Sequence, residues 1–258
     1  MMLHTYGCSW TEGEGADREV EDKITDRDDK RIFRNSLSWP KFLGERLGMV
    51  VRNNGISGNA NNKIFNQIIT DIQDERIQEN DFVVVMWSSS LRDHVPFLPK
   101  GEWVSWSTKH LMESPDRFIH SYKSEDNKFV EFLSSFKEYF ISNLFNQNYY
   151  NIVNQNYILF LEKLFSHYNI KYVMCDSFER MIIDINKYDD IRNLVNKKNY
   201  WNFDKQTFRD FLNKTNRVDI WEHQDNRYNI RATQHPNKIG HELIANELYE
   251  FIIKNKIL

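Results

Sequence analysis

The sequence predicts a three-layer α/β protein, a doubly wound parallel sheet with helices on both faces, forming one domain over residues 1–258 with two large insertions. Three observations lead there. Short apolar runs rich in β-branched residues alternate with segments whose apolar residues recur at helical spacing. The run Phe82–Trp87, FVVVMW, is apolar throughout. A strand buried on both faces requires that, and parallel sheets make such strands. No internal repeat, Pro- or Gly-rich linker or low-complexity tract divides the chain.

Met2–Tyr6 reads as the first strand, ending in the small residues Gly7-Cys8-Ser9, suited to a sharp turn. Residues 12–31 are dense in both charge signs and poor in apolar groups, which predicts a solvated loop, or alternatively a lid over a site. Ser38-Trp39-Pro40 opens a helix through Phe42, Leu43 and Leu47, capped by Ser38 and closed by Gly48. Met49–Arg52 is a second strand, and Asn53–Asn59 a turn-rich loop. Ile64, Phe65, Ile68, Ile69 and Ile72 then keep helical spacing. After the Phe82–Trp87 strand, residues 91–128 lack periodicity and form a long excursion. Two aromatic stripes follow, Phe129, Phe132, Phe136, Tyr139, Phe140 and Val153, Tyr157, Phe160, Leu161, Leu164; both are expected to face the core. Ile170–Met174 is another buried strand, and residues 178–222 a second irregular stretch. A last helix runs through Ile239, Leu243, Ile244, Leu248, Phe251 and Ile252.

Composition narrows the classes. Apolar residues are 40 % of the 258, enough for a sizeable core. Charged residues are 28 % with a net charge of −3, which gives no reason to expect nucleic acid or an anionic membrane as partner. No apolar run approaches the roughly 20 residues of a membrane span. Met1–Tyr6 lacks a secretory leader, so a cytoplasmic protein is expected, or a virion component if phage-encoded. Cys8 and Cys175 close apolar strand-like runs and are expected as buried free thiols. Nothing in the sequence speaks to oligomeric state.

In a doubly wound sheet, sites form beyond the carboxyl ends of the strands. Gly7–Thr11, Gly55–Asn59 and Trp87–Ser90 fall at three such ends, and Gln234–Asn237 precedes the last helix. A serine becomes a good nucleophile when a base, usually histidine, takes its proton. The oxyanion that follows needs donors already aimed at it. Ser9, Gly58 and His235 could supply these parts; alternatively Ser9 caps a helix, Gly58 makes a left-handed turn, and His235 caps the last helix. His241 stands six positions beyond His235, which is not the i, i+4 spacing of a helical metal pair, so neither a metal nor a cofactor is expected. Gly58–Lys63 is only superficially like a phosphate loop and lacks Walker spacing. Arg92 could bind a substrate carboxylate or pair with Asp93.

GCSWT (residues 7–11), the NxGxSG pattern of Asn53–Gly58, and QHPNKIGH (residues 234–241) together resemble the ordered sequence blocks of the SGNH (GDSL-like) hydrolases, in the GCSxT branch common among phage-like proteins. The resemblance spans almost the whole chain. It implies a flavodoxin-like sheet, Ser9 as nucleophile, His235 as base, and oxyanion N–H groups from Ser9 and Gly58. It implies a serine esterase without cofactor, acting on small acyl esters of polar acceptors such as acetylated carbohydrate. Trp10, Trp87, Trp103 and Trp106 could stack on sugar rings or simply pack the insertions. Two positions depart from the pattern. Ser90 stands where the family has an oxyanion asparagine, and Ala232 where it has the triad acid. A Ser–His dyad results, or a triad completed by Glu222, Asp225 or a backbone carbonyl. A catalytically degenerate domain that binds carbohydrate or builds a phage particle is the alternative, and acyl transfer to a sugar a third reading.

Overall fold

A computed structural model describes residues 1–97, 102–107, 139, 146–182, 193–215, 217, 219–221 and 235–258. Its elements run β1 (Met2–Tyr6), α1 (Ser9–Glu12), α2 (Arg18–Glu21), α3 (Arg27–Ser36), α4 (Trp39–Leu47), β2 (Val50–Asn53), α5 (Asn61–Gln73), β3 (Phe82–Trp87), β4 (Arg92–Phe97), β5 (Glu102–Ser107), α6 (Gln147–His167), β6 (Lys171–Asp176), α7 (Phe208–Lys214) and α8 (Lys238–Lys254). Four strands form one sheet in the order β2-β1-β3-β6, and every pairing in it is parallel. β1 and β3 are therefore central, and all four carboxyl ends reach one rim.

The pleat assigns alternate residues to opposite layers. Val83, Val85 and Trp87 of β3 join Tyr6, Tyr172 and Met174 against α5 (Ile64, Ile68, Ile72) and α6 (Ile158, Leu161, Phe165). Phe82, Val84 and Met86 join Leu3, Val173 and Cys175 against α4 (Trp39, Leu43) and α8 (Ile244, Leu248, Ile252). Two apolar layers thus enclose the sheet, giving the three-layer α/β fold expected. All six residues of β3 are buried, as its unbroken apolar run demands. Both cysteines are buried free thiols, and burial raises the Cys175 pKa further.

Several elements differ from the sequence reading. Residues 12–31 are not one solvated loop; they hold α2, the start of α3, and the buried carboxylates Glu12 and Glu21. Ser38 is the N-cap of α4 by backbone position, but its hydroxyl donates to the Asn35 carbonyl (2.8 Å) instead of accepting from the helix. In α6 the core face is Asn151, Asn154, Ile158, Leu161 and Phe165, rotated from the predicted stripe, and Phe160 is exposed. The rotation follows from two buried asparagines that an apolar count cannot see. The excursion after β3 begins with the antiparallel hairpin β4–β5. Of the Phe129–Phe140 stripe only Tyr139 is among the described residues.

Candidate active site

The first rim loop turns sharply. Cys8 is the N-cap of α1, and its carbonyl accepts from Thr11 N (2.9 Å) and Glu12 N (3.0 Å). Ser9 is thereby the first helical residue, and the Cys8 side chain makes no cap bond. Its Oγ lies 2.8 Å from Nε2 of His235. With the ring proton on Nδ1, the hydroxyl donates to Nε2. Both residues are nearly buried, Ser9 at 6 % and His235 at 7 % exposure.

The residues around His235 explain how it is held. Pro236 bridges Trp221 in an antiparallel pair. Asn237 N donates to Ile220 O (2.9 Å), its Nδ2 to Asp219 O (2.6 Å), and its Oδ1 accepts from Gly240 N (3.1 Å) as the cap of α8. Lys238 N donates to Ala16 O (2.8 Å), which ties this segment back to the loop after Ser9. Gly240 is needed for close approach: a Cβ there would sit 2.6 Å from Ile220 O. His241 is wholly buried and its Nδ1 accepts from Trp39 N (3.3 Å), joining α8 to α4. Burial first, and the nearby His235 second, push its pKa down to about 3, so it stays neutral. The motif HPNKIGH thus sets His235 against Ser9 and follows it with four fixtures, Pro236, Asn237, Gly240 and His241.

The second rim loop is stitched to the first. Ile56 N donates to Gly7 O (3.2 Å), and Asn53 Nδ2 donates to Thr11 O (2.8 Å) and Asn35 Oδ1 (2.9 Å). Gly55 packs so tightly on α1 that a Cβ would lie 2.5 Å from Glu12 N. Glu12 Oε2 accepts from Ser57 N (2.5 Å), and Glu14 accepts from Ser57 Oγ. Gly58, the next residue, has φ +79°. Glu12, Glu14 and Glu21 share Arg34 at 3.5, 3.8 and 2.6 Å. Sequence reasoning missed this network because its members look like ordinary surface charge; its signal was Glu12 and Glu14 directly after the serine turn, with Glu21 further on.

The third rim loop is clamped by side-chain amides. Asn61 Oδ1 accepts from Ser88 N (2.8 Å), and its Nδ2 donates to Ser89 O (3.0 Å). Asn154 Nδ2 donates to Ser90 O (3.1 Å), and Ser89 Oγ donates to Glu179. Ser90 Oγ and both polar atoms of the Asn59 side chain are buried without a partner among the described residues. A buried unpaired polar group costs about 1–3 kcal/mol, so native proteins keep few of them. Asp176, at the end of β6, is a further buried group on this rim. Burial raises its pKa to about 6, although the Tyr200 hydroxyl donates to it at 2.6 Å.

Glu14 Oε2 comes within 3.9 Å of His235, but at Nε2, the nitrogen that faces Ser9. A triad acid must hold Nδ1 instead. Glu222, Asp225, Ala232 and Thr233 lie outside the described residues. Arg92 donates to Ser88 Oγ (3.3 Å) and lies 5.5 Å over the Phe178 ring; the Asp93 side chain is outside the described residues. Trp10 and Trp87 are buried at 2 % and 0 % exposure, so they pack the core and offer no face for a sugar. Trp10 touches Phe178 and Trp221 at ring distances of 5.9 and 6.0 Å. The side chains of Trp103 and Trp106 are outside the described residues. Among the described residues no group of three or more His, Cys, Asp or Glu could hold a metal, and no helix is long and apolar enough to cross a membrane.

The sheet order and the two helical layers define the class, a three-layer α/β protein with a parallel sheet, and a serine and a histidine meet at its carboxyl rim. Among solved structures the chain is similar to a psychrotrophic esterase, EstA, from a Pseudoalteromonas species, at 12 % identity and TM-score 0.48, covering 98 % of this chain and 97 % of that one. It is also similar to LAE5, an alpha/beta hydrolase from the metagenome of Lake Arreo, Spain (12 % identity, TM-score 0.45, 100 % and 95 % covered). A third is a protein described as lipolytic, of the G-D-S-L family, from Desulfitobacterium hafniense DCB-2 (11 % identity, TM-score 0.38, 100 % and 99 % covered). No protein-family model and no curated protein matches the chain.

Proposed function

We propose that the protein is a serine ester hydrolase in which Ser9 attacks an acyl carbonyl and His235 takes the Ser9 proton. The observation that carries this reading is the 2.8 Å approach of Ser9 Oγ to His235 Nε2. The Oγ–carbon bond forms as Nε2 accepts the proton, and the tetrahedral oxyanion collapses by expelling the alcohol, which takes that proton from the imidazole. Water, deprotonated by the same imidazole, then releases the acid and returns the hydrogen to Ser9. The N–H groups of Ser9 and Gly58 serve the oxyanion. The third donor is Ser90 Oγ or the Asn59 amide, because both are buried donors without a hydrogen-bond partner among the described residues. Asn59, next to Gly58, supplies the amide chemistry that Ser90 lacks. The substrate is a small acyl ester of a small molecule or carbohydrate, as the sequence blocks imply, and no cofactor is needed for these steps.

Turnover of a p-nitrophenyl acetate series tests the reading. Ser9→Ala and His235→Ala should each remove nearly all turnover. Losing one oxyanion donor costs about 100- to 1,000-fold in kcat, so either Ser90→Ala or Asn59→Ala should show a fall of that size with KM little changed. If Ser9→Ala and His235→Ala turn over the esters as fast as the wild type, the reading is wrong.

A further inference from the structure

The Asn53–Asn59 loop also borders a second feature, through Asn54 and Ile56. The exposed face of α5 and the end of β2 enclose a groove of about 340 Å³, within the range of small-ligand sites. Its lining includes Arg52, Lys63, Asn62, Asn66, Gln67 and Thr70. The period of α5 creates this face: Ile64, Ile68 and Ile72 point into the core, which leaves amides, a hydroxyl and a lysine outside. The first turn of α5 carries no acidic residue.

The charges in the groove are not balanced. Its one carboxylate, Asp71, accepts from the Tyr6 hydroxyl (2.7 Å) and from Arg76 (2.9 Å), and Arg76 also pairs with Asp74 (2.7 Å). Those charges are spent on one another. Arg52 and Lys63 make no ion pair among the described residues. Arg52 is half-buried, where an uncompensated guanidinium is less well hydrated than on an open surface. A lone cation at a surface is ordinary. Two in one concave site, interleaved with carboxamides, form a receptor for an anion that also bears hydroxyl groups.

We propose that this groove binds a carboxylate-bearing sugar, with Arg52 and Lys63 on the carboxylate and the α5 amides and Thr70 on the ring hydroxyls. A bare inorganic anion would satisfy the cations but leave most of the volume and all the amides unused. A neutral sugar would meet the amides and leave both cations unpaired. The proposal does not depend on Ser9 or on ester hydrolysis, because none of its residues belongs to the proposed catalytic set.

Calorimetric titration of the whole chain with trigalacturonate at low salt tests it, with galactotriose and inorganic phosphate as comparison ligands. Trigalacturonate should bind, and rising salt should weaken it. Lys63→Gln and Arg52→Gln should each weaken it about three- to tenfold, the range for one charged hydrogen bond at a partly exposed site. Lys63 lies at the helix surface, so its variant should melt as the wild type does even if the Arg52 variant folds poorly. Absence of trigalacturonate binding, equal binding of galactotriose or of phosphate, or wild-type affinity in Lys63→Gln would each overturn the proposal.

Discussion

At the scale of single residues, the three sequence blocks separate into the pair that meets at the rim, Ser9 and His235, and the groups that hold it. Ser9 and His235 meet through space across 226 positions, yet each was legible because it sits in a turn of small or capping residues at a strand end or helix start. The burial of Asn59 without a partner among the described residues was not legible, since that is a property of the fold and not of the letter. His241 shows the opposite case, a histidine whose spacing denied it a metal role and whose burial makes it a fixture. Its pKa of about 3 lies below the ordinary value of 6.5. The unfolded chain therefore takes up this proton first as pH falls. The stability owed to neutral His241 is full above about pH 6.5 and is lost below it, by at most about 1.4 kcal/mol per pH unit. Asp176, raised to about 6, works with the opposite sign. It is unchanged in a His241→Asn variant, in which the amide oxygen can still accept from Trp39 N. Urea unfolding at pH 7 and pH 4.5 should show the variant losing less stability on acidification than the wild type, by on the order of 2 kcal/mol. Equal losses would mean that His241 titrates freely in the native state.

At the scale of elements, strands were easier to read than the charged segment. β1, β3 and β6 announce themselves by apolar runs, and α5 and α8 by their period, because burial against a sheet imposes both. The helices α2 and α3 have no such stripe; α3 buries no residue at all. They are placed by charge pairing that links residues 12, 14, 21 and 34, and a linear charge count reads those residues as solvated. Arg34 is the hub. Arg34→Gln would leave Glu12, Glu14 and Glu21 without their shared cation, and breaking one side of a buried ion pair costs about 3–5 kcal/mol. Chemical denaturation should register a loss on the order of 3 kcal/mol, and an Arg34→Lys variant should recover part of it. A loss below about 0.5 kcal/mol, the size usual for surface changes, would show that the network is solvated after all.

At the scale of the whole molecule, the parallel order β2-β1-β3-β6 brings the loops after β1, β2 and β3 to one rim, and α8 returns the chain so that His235 closes over Ser9. Alternation and an unbroken central strand made that architecture legible; the course of the insertions was not, because their sequence carries no period. The central claim is that this rim makes Ser9 a nucleophile. Its most direct measurement is labelling with a fluorophosphonate, read by peptide mass spectrometry, because the probe needs an activated serine and no knowledge of the substrate. A single adduct on Ser9 is expected, absent in Ser9→Ala and strongly slowed in His235→Ala, with both variants as folded as the wild type. A folded wild-type protein that stays unlabelled across a broad pH range, or that labels at another serine, would contradict it.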